Sequence, residues 1–222
     1  MKGKLIVIEG TDCSGKETQS NLLMDKLNKE GKQVEKFSFP NYESPTGKII
    51  RNGYLGNGNI NGYFPEGASN VNPKVAALYY AADRKYNIHK IIWLLENGIH
   101  VILDRYVYSN MAHQGCKLAN KDERYKMYEW LDQLEFQLLE LPKPDISIFL
   151  HMPIDKVEML KLNRETLDEN EQDSNYLANA EKSYLELANI YNFEIIECAK
   201  ENEIRSIEDI NGDIYNYIVK KL

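Results

Sequence analysis

Cysteine is scarce in this chain: Cys13, Cys116 and Cys198 are the three cysteines in 222 residues. Because they are scattered and odd in number, they exclude a disulfide framework and favour a reducing, cytoplasmic setting. No CxxC pair or cysteine–histidine cluster indicates a zinc site. Long apolar runs are also absent. No stretch approaches the ~18 apolar residues of a membrane span, so we expect no contact with a membrane.

An excess of positive charge is missing too. The chain has 27 Lys and Arg residues against 34 Asp and Glu residues, a net charge of −7. This balance excludes chain-wide binding of nucleic acid, so any phosphate must be held by local cations and backbone N–H groups. The apolar run near the N-terminus is short and leads directly into a glycine-rich loop, so we expect no signal peptide. The length predicts a single domain over residues 1–222.

Strand and helix signals alternate along the chain, which predicts an α/β fold with a parallel sheet covered on both faces. The predicted strands are residues 4–9, 34–39, 100–104, 146–150 and 194–197. The predicted helices are about 16–30, 73–97, 106–118, 122–141, 154–164, 175–191 and 206–221. Two segments break this rhythm. Residues 52–72, rich in Gly and Asn, are predicted to form a surface excursion, and the polar residues 164–175 a flap between two helices.

The glycine-rich loop has the sequence GTDCSGK and follows the first predicted strand. Its glycines let backbone N–H groups turn inward, the next helix adds its positive end, and Lys16 adds a cation for β- and γ-phosphates. This pattern predicts a polyphosphate nucleotide site, and a chance glycine-rich turn is the alternative. In the usual pattern a Ser or Thr follows the lysine and binds Mg²⁺. Here Glu17 takes that place and the hydroxyl comes at Thr18, which puts the metal ligands in question.

Asp104 and Arg105 follow the third predicted strand, at the end of a parallel sheet where ligands bind. The aspartate can hold a Mg²⁺-bound water and the arginine can grip a phosphate. The alternative is a salt bridge that caps the next helix.

Aromatic side chains occur near two further candidate positions. Phe39 and Tyr42 follow the second strand and either shape a pocket wall or belong to an ordinary turn. Tyr80 and Arg84 share a helix face. There the Tyr80 ring can stack on a base while Arg84 donates to the base carbonyl. The alternative is that Tyr80 is a core aromatic and Arg84 a surface arginine. Arg164 in the flap either brings a cation to a transferring phosphate or is a solvated helix end.

Five segments together resemble the thymidylate kinases, a family of P-loop nucleoside monophosphate kinases. They are EGTDCSGKETQ, FPNY, YYAADR, DRYVYSN and DENEQDSNYLANAEKSYLELA. The resemblance implies a P-loop NTPase-type three-layer α/β/α fold with a five-stranded parallel sheet and a short lid at about 161–176. It also implies transfer of the γ-phosphoryl group from ATP to dTMP, giving ADP and dTDP in dTTP biosynthesis, with Mg²⁺ as cofactor. A homodimer that packs through helix 73–97 and the helix after DRY is implied as well.

The resemblance also implies roles for individual residues. The residues implied to bind ATP are Gly10, Asp12, Cys13, Ser14, Gly15, Lys16, Glu17 and Thr18, with Thr18 at the α-phosphate. The acceptor is assigned to Asp12, Phe39, Tyr42, Tyr80, Arg84, Arg105, Asn110 and Gln114. Catalysis is assigned to Asp12, Lys16, Asp104, Arg105 and Arg164, and the metal to Glu17, Asp104 and Glu171.

Within the implied acceptor site, Tyr80 stacks on thymine and Arg84 donates to its O4. Asn110 and Gln114 lie near the base and sugar, and Arg105 grips the acceptor phosphate. Asp104 serves Mg²⁺ or the attacking oxygen. Asp12 contacts the region of the sugar 3′-hydroxyl or a water on the metal there.

The chain departs from the family pattern beyond Glu17. Cys13 stands where one branch carries a catalytic arginine, so Arg164 becomes the candidate cation. Asn41 and Tyr42 follow FP where many relatives have an arginine, and Arg105, Lys48 or Arg51 are candidates to compensate. Two alternatives therefore stay open. One is a related kinase with a different deoxynucleotide or nucleoside acceptor, and the other is a non-catalytic ATP-binding module.

Overall fold

The computed structural model describes residues 2–11, 13–56, 62–161, 174–201 and 203–222. The strands are β1 Leu5–Gly10, β2 Val34–Ser38, β3 His100–Asp104, β4 Ile146–His151, β5 Glu194–Glu197, β6 Ala199–Lys200 and β7 Glu203–Ile204. The α-helices are α1 Lys16–Lys29, α2 Pro45–Ile49, α3 Pro73–Glu96, α4 Val107–Gly115, α5 Lys121–Leu131, α6 Ile154–Lys161, α7 Ser174–Ile190 and α8 Ile207–Val219. All five predicted strands are present, whereas α2 and the β6–β7 hairpin were not predicted.

The first five strands form one parallel sheet in the order β2-β3-β1-β4-β5. Strand β1 lies at its centre and is buried along its whole length, which explains the continuous apolar run in the sequence. The predicted five-stranded parallel sheet is confirmed. Its carboxyl ends carry the phosphate loop after β1 and the predicted acceptor residues after β2 and β3.

Successive side chains of β1 face opposite layers of helices. Leu5 packs in a core with side chains of α3, α4, α5 and α7, whereas Ile6 packs in a second core with side chains of α1, α6, α7 and α8. This alternation is the period of a strand, and it fixes which helices cover each face. The fold is therefore a three-layer α/β/α sandwich.

The helix predicted over residues 122–141 ends earlier as an α-helix. It continues from Leu131 into a π-helical turn, Asp132–Leu138. The wider turn carries Glu135 into the interior, where the side chain is fully buried. Turns of this kind are frequent at functional sites, and this one supplies an acidic partner for the cleft described below.

Residues 52–72 are only partly a surface excursion. Tyr54, Ala68 and Val71 are buried in a small third core against α3. The Nζ of Lys117 donates to the Tyr54 hydroxyl (3.1 Å) and to the carbonyl oxygens of Ala68 (2.9 Å) and Val71 (3.2 Å). Burial lowers the pKa of Lys117 to about 8. Few residues of the segment pack in this third core, so the sequence shows no periodic apolar pattern there.

The helices predicted for self-association differ in exposure. Val75, Leu78, Tyr86 and Trp93 form an exposed apolar stripe on α3. Eight of the nine residues of α4, the helix after DRY, are buried within the chain, so the expectation that α4 supplies an interface is wrong. None of the helices in the described ranges is long and apolar enough to cross a membrane.

Candidate active site

The phosphate loop leaves the carboxyl end of β1 and ends at the first residue of α1. Gly15 has a φ of 77°, a left-handed conformation that suits glycine and turns the chain into the helix. Lys16 is buried, and its Nζ donates to the carbonyl oxygens of Gly10 (3.1 Å) and Thr11 (2.8 Å). Its ammonium group therefore lies against the loop, at the positive end of α1, where an anion is favoured.

Ser14 places a hydroxyl inside this loop. Its Oγ is buried and has no hydrogen-bond partner in the described ranges. Because a buried polar atom without a partner is costly, this atom fits a site that a ligand completes. A Cβ on Gly10 would approach the same Oγ at 2.4 Å, so glycine is required there. Cys13 is half-buried with a φ of 59°, and Asp12 lies outside the described residues.

The departure from the usual loop pattern lies in the first turn of α1. The side chains of Glu17 and Thr18 are both exposed. An acidic residue is favourable at this helix end because the helix dipole is positive there. The exposed carboxylate of Glu17 remains accessible to a metal ion carried by a nucleotide, and its role as a metal ligand stays a prediction.

Most of the predicted acceptor site lines one cleft. Its volume is about 560 Å³, including the solvent space at its entrance. Seven of the eight predicted residues line it: Phe39, Tyr42, Tyr80, Arg84, Arg105, Asn110 and Gln114. The eighth, Asp12, lies outside the described residues. Pro40 of the FPNY segment and Ser109 of the DRYVYSN segment also belong to the lining. Leu55 and His113 complete it, and the sequence analysis had not singled out these two. The fold thus gathers residues that follow β2 and β3 together with side chains of α3 and α4.

The side-chain amides of Asn110 and Gln114 belong to the lining of the cleft. Asn110 Nδ2 donates to the carbonyl oxygen of Ala77 (3.1 Å) and to Glu135 Oε1 (2.9 Å), which fixes the orientation of its amide. Asn110 Oδ1 and Gln114 Oε1 are both buried and have no hydrogen-bond partner within the described part of the chain. Two residues of the cleft lining therefore each carry a buried acceptor atom that lacks a donor in the described part of the chain.

Arg84 lies in the same cleft, in an ion pair that sequence reasoning missed. Its Nε and Nη2 donate to the two carboxylate oxygens of Glu135, and its Nη1 donates to the carbonyl oxygen of Tyr106 at 3.4 Å. Burial by itself would lower the pKa of Arg84, but the charge and hydrogen bonds of Glu135 outweigh it and raise that pKa. Arg84 is therefore a fixed cation with N–H groups left for the cleft.

Arg105 occupies another part of the lining, directly after β3. Its φ of 67° is unusual for a residue with a side chain, and backbone strain of this kind is concentrated at functional sites. Its Nη1 donates to Ser109 Oγ (3.5 Å), to the Tyr184 hydroxyl (3.4 Å) and to His113 Nε2 (3.2 Å). Arg105 is half-buried, and these hydrogen bonds hold its guanidinium in place in the cleft lining.

Asp104 ends β3 beside the phosphate loop. It is paired in register with Ile8 of β1, two residues before the loop begins at Gly10. Its carboxylate is a hard oxygen ligand of the kind that Mg²⁺ prefers. The described residues contain no cluster of three His, Cys, Asp or Glu side chains suited to a metal by themselves. The predicted Arg164 and Glu171 lie outside the described residues.

Glu9 is a buried acid that the sequence analysis had also missed. Its Oε1 accepts from the backbone N–H groups of Tyr106 (2.9 Å) and Ser109 (3.1 Å), so it caps the first turn of α4 from the neighbouring strand. Burial raises the pKa of Glu9, although the hydrogen bond from Ser109 and the charge of Arg105 oppose this. The available signal was an acidic residue at the end of an otherwise apolar strand.

Comparison with known proteins decides the family. A family model of thymidylate kinases matches residues 8–210. The chain belongs to the thymidylate kinase family. A probable thymidylate kinase of Pyrococcus horikoshii is 34% identical over 224 residues, covering 100% of this chain and 98% of that protein. A thymidylate kinase of Schizosaccharomyces pombe is 34% identical over 151 residues, 68% of this chain and 62% of that protein.

A solved structure supports the same assignment. The thymidylate kinase of Candida albicans superposes with a TM-score of 0.76 at 27% identity, covering 99% of this chain and 92% of that one. The predicted P-loop fold and the predicted enzyme class, a kinase that phosphorylates dTMP, are confirmed by these findings. ATP is the phosphate donor of the family. The alternatives of another acceptor or a non-catalytic module are not favoured.

Proposed function

We propose that the chain binds dTMP in the cleft between α3 and α4 and transfers the γ-phosphoryl group of ATP to it, giving dTDP and ADP. The observation that carries this assignment is the pair of buried, unpartnered amide oxygens of Asn110 and Gln114. Thymine has one ring N–H and the deoxyribose has a hydroxyl, so the acceptor nucleotide offers donors for both oxygens. A buried amide oxygen without a hydrogen-bond donor costs free energy. A ligand that supplies the donor therefore binds better than one that lacks it.

The other base contacts follow from the cleft lining. Tyr80 is the stacking partner, since the Tyr54 ring meets it edge-on with centroids 5.7 Å apart and supports it from within the protein. Arg84 has five N–H groups, and three of them serve Glu135 and the Tyr106 carbonyl. The remaining N–H groups are available for O4 of thymine. Phe39 and Tyr42 form the adjoining wall.

Phosphoryl transfer requires in-line positioning and neutralisation of charge more than covalent chemistry. Arg105 grips the acceptor phosphate with the N–H groups that face the cleft. Lys16, Ser14 and the loop amides hold the β- and γ-phosphates of ATP, with Thr18 at the α-phosphate. Arg164 supplies a further cation in the transition state, and Asp12 contacts the sugar 3′-hydroxyl region of the acceptor.

Asp104, Glu17 and Glu171 are the proposed protein ligands of Mg²⁺. The buried carboxylate of Asp104, one strand away from the phosphate loop, fits an oxygen-coordinated cation. When bound, the ion supplies charge neutralisation at the β- and γ-phosphates.

The proposed assembly is a homodimer and the proposed setting is the cytoplasm. The exposed stripe of Val75, Leu78, Tyr86 and Trp93 on α3 supports self-association, because monomers rarely leave such a row of large apolar side chains in water. All three cysteines are free thiols in the structure, which suits a reducing compartment.

The activity is tested by ADP release with Mg-ATP and a panel of acceptors: dTMP, dUMP, dCMP, dAMP, dGMP, UMP, CMP and thymidine. We expect dTMP to give the highest kcat/KM. Lys16→Ala removes the phosphate cation and is expected to lower kcat/KM at least ~100-fold, whereas Lys29→Ala, at an exposed site on the same helix, is expected to match the parent. Preference for another acceptor would overturn the assignment of the base contacts, and activity in Lys16→Ala would overturn the assignment of the loop.

A further inference from the structure

His113 lies between the acceptor cleft and helix α7. Its ring lines the cleft and also borders a smaller cavity formed by α6, α7 and the phosphate loop. On one side Nε2 contacts Arg105 Nη1 at 3.2 Å, and on the other Nδ1 contacts the Tyr176 hydroxyl at 3.0 Å. Tyr176 belongs to the first turn of α7. One imidazole ring therefore connects the arginine to this helix.

The hydrogen bonds define the form of the ring. A guanidinium can only donate, so Nε2 must accept and carries no proton. The proton then lies on Nδ1, which donates to the Tyr176 oxygen. The Tyr176 hydroxyl in turn donates to the backbone carbonyl oxygen of His113 at 3.4 Å. Each proton in this arrangement has an acceptor, and the two rings also stack with centroids 5.8 Å apart at 21°.

We propose that His113 is a positioning residue for the acceptor phosphate, holding the Arg105 guanidinium in its binding orientation and transmitting to it the position of α7 through Tyr176. The inference rests on the proposed role of Arg105. An arginine side chain has several rotatable bonds, and fixing it before the ligand arrives increases affinity without any new contact to the ligand. Ser109 and Tyr184 also accept from Nη1, whereas among the described residues the hydrogen-bonded path from Tyr176 to Nη1 runs through the imidazole.

The test is steady-state kinetics with dTMP and ATP varied separately. His113→Phe keeps a ring but removes both hydrogen bonds, and we expect the KM for dTMP to rise about tenfold while the KM for ATP changes by less than about twofold. His113→Gln has an amide oxygen to accept from Arg105 and an N–H to donate to Tyr176, so it is expected to recover most of that loss.

Tyr176→Phe removes only the hydroxyl, and we expect a rise of about threefold in the KM for dTMP. The double variant His113→Phe/Tyr176→Phe is expected to equal His113→Phe alone, because Tyr176 acts through the imidazole. The matched control is Tyr191→Phe, which removes a hydroxyl just beyond α7 that bonds Asp132 at 3.4 Å. It is expected to leave both KM values unchanged. Additive effects of His113 and Tyr176, or equal losses for ATP and dTMP, would overturn the proposal.

A second measurement separates this inference from the activity itself. Nitrogen NMR of the unliganded protein reports which imidazole nitrogen carries the proton. We expect the Nδ1–H form of His113 in the parent and also in Tyr176→Phe, because Arg105 still donates to Nε2 in that variant. The opposite tautomer in the parent would overturn the proposal even if dTMP is the substrate. If dTMP fails as the substrate while the Nδ1–H form is observed, the proposed function fails and the His113 arrangement stands.

Discussion

Glu135 grips Arg84 with both carboxylate oxygens, although the two residues are 51 positions apart in the chain. Both side chains are almost fully buried, and Arg84 lines the cleft. The same Glu135 Oε1 accepts from Asn110 at 2.9 Å. A single acid therefore orients two residues of the cleft lining, the cationic donor Arg84 and the amide of Asn110. The paired geometry explains how a full positive charge is retained in the interior.

Glu135→Gln tests this arrangement, because it keeps the shape of the side chain and removes the charge. The variant leaves the guanidinium of Arg84 buried without its counter-charge, so we expect the free energy of unfolding to fall by about 3–5 kcal/mol. Urea denaturation measures the change. Glu129→Gln, an exposed position in the preceding helix α5, is the control and is expected to change stability by no more than ~0.5 kcal/mol. A loss below ~1 kcal/mol for Glu135→Gln would show that the pair is not structurally important.

The exposed stripe on α3 gives a prediction about assembly. Trp93 is 58% exposed, and placing a charge there opposes burial of this face against a second copy. We expect the parent to elute at twice the chain mass in size-exclusion chromatography with light scattering, and Trp93→Arg to elute as a monomer. Ile207→Arg on α8, where the side chain is 49% exposed, is the matched control and is expected to stay dimeric. A monomeric parent, or a dimer unaffected by Trp93→Arg, would contradict the assignment of this face.

His151 makes stability depend on pH. Its Nε2 contacts Glu181 Oε1 and its Nδ1 contacts Glu197 Oε2, each at 2.8 Å, so both nitrogens donate and the ring is cationic. The hydrogen bond to Glu181 is the main cause that raises the pKa of His151 above 6.5, with Glu197 adding to it against the effect of burial. Glu181 also accepts from Ile154 N–H at the start of α6.

Because the pKa of His151 is higher in the folded state, its stabilisation is fully present below pH 6.5 and is lost as the pH rises through the raised value. We expect His151→Gln to destabilise the protein by ~1 kcal/mol or more at pH ~5.5 and by much less at pH ~8.5. Urea unfolding of both proteins across this range measures the difference. A destabilisation of equal size at the two ends would mean that the imidazole acts by packing and not by charge.

The sequence indicated the main members of the site because their positions depend on strand order alone. Phe39 and Arg105 each directly follow a strand, and parallel strands in one sheet end at the same edge. Tyr80 and Arg84 share a face of α3 through their i, i+4 spacing. These relationships are local or topological, so strand order and spacing were sufficient to single out these residues. Asn110 and Gln114 were instead assigned through the family resemblance, and they line the same cleft.

The supporting residues could not be predicted in the same way. Glu135 reaches Arg84 only because α5 continues into a π-helical turn, and no local pattern marks that change in the sequence. Glu9 lies in a strand, but its partners belong to the start of α4. His113 becomes important through Arg105 and Tyr176, which lie on different elements. Except for His113 with Arg105, which are eight positions apart, these pairings join residues far apart in sequence.

The sequence by itself determined the alternation of strands and helices, the phosphate loop and the family to which the chain belongs. It did so because strand burial, helix periodicity and glycine geometry are properties of short segments. Only the tertiary structure decided which acids hold Arg84 and α4, that part of residues 52–72 is a core, and that α3 and not α4 carries the exposed stripe. These outcomes depend on which side chains come into contact in the folded chain. Burying a polar atom costs free energy unless the atom is paired, so such contacts form only where partners are available.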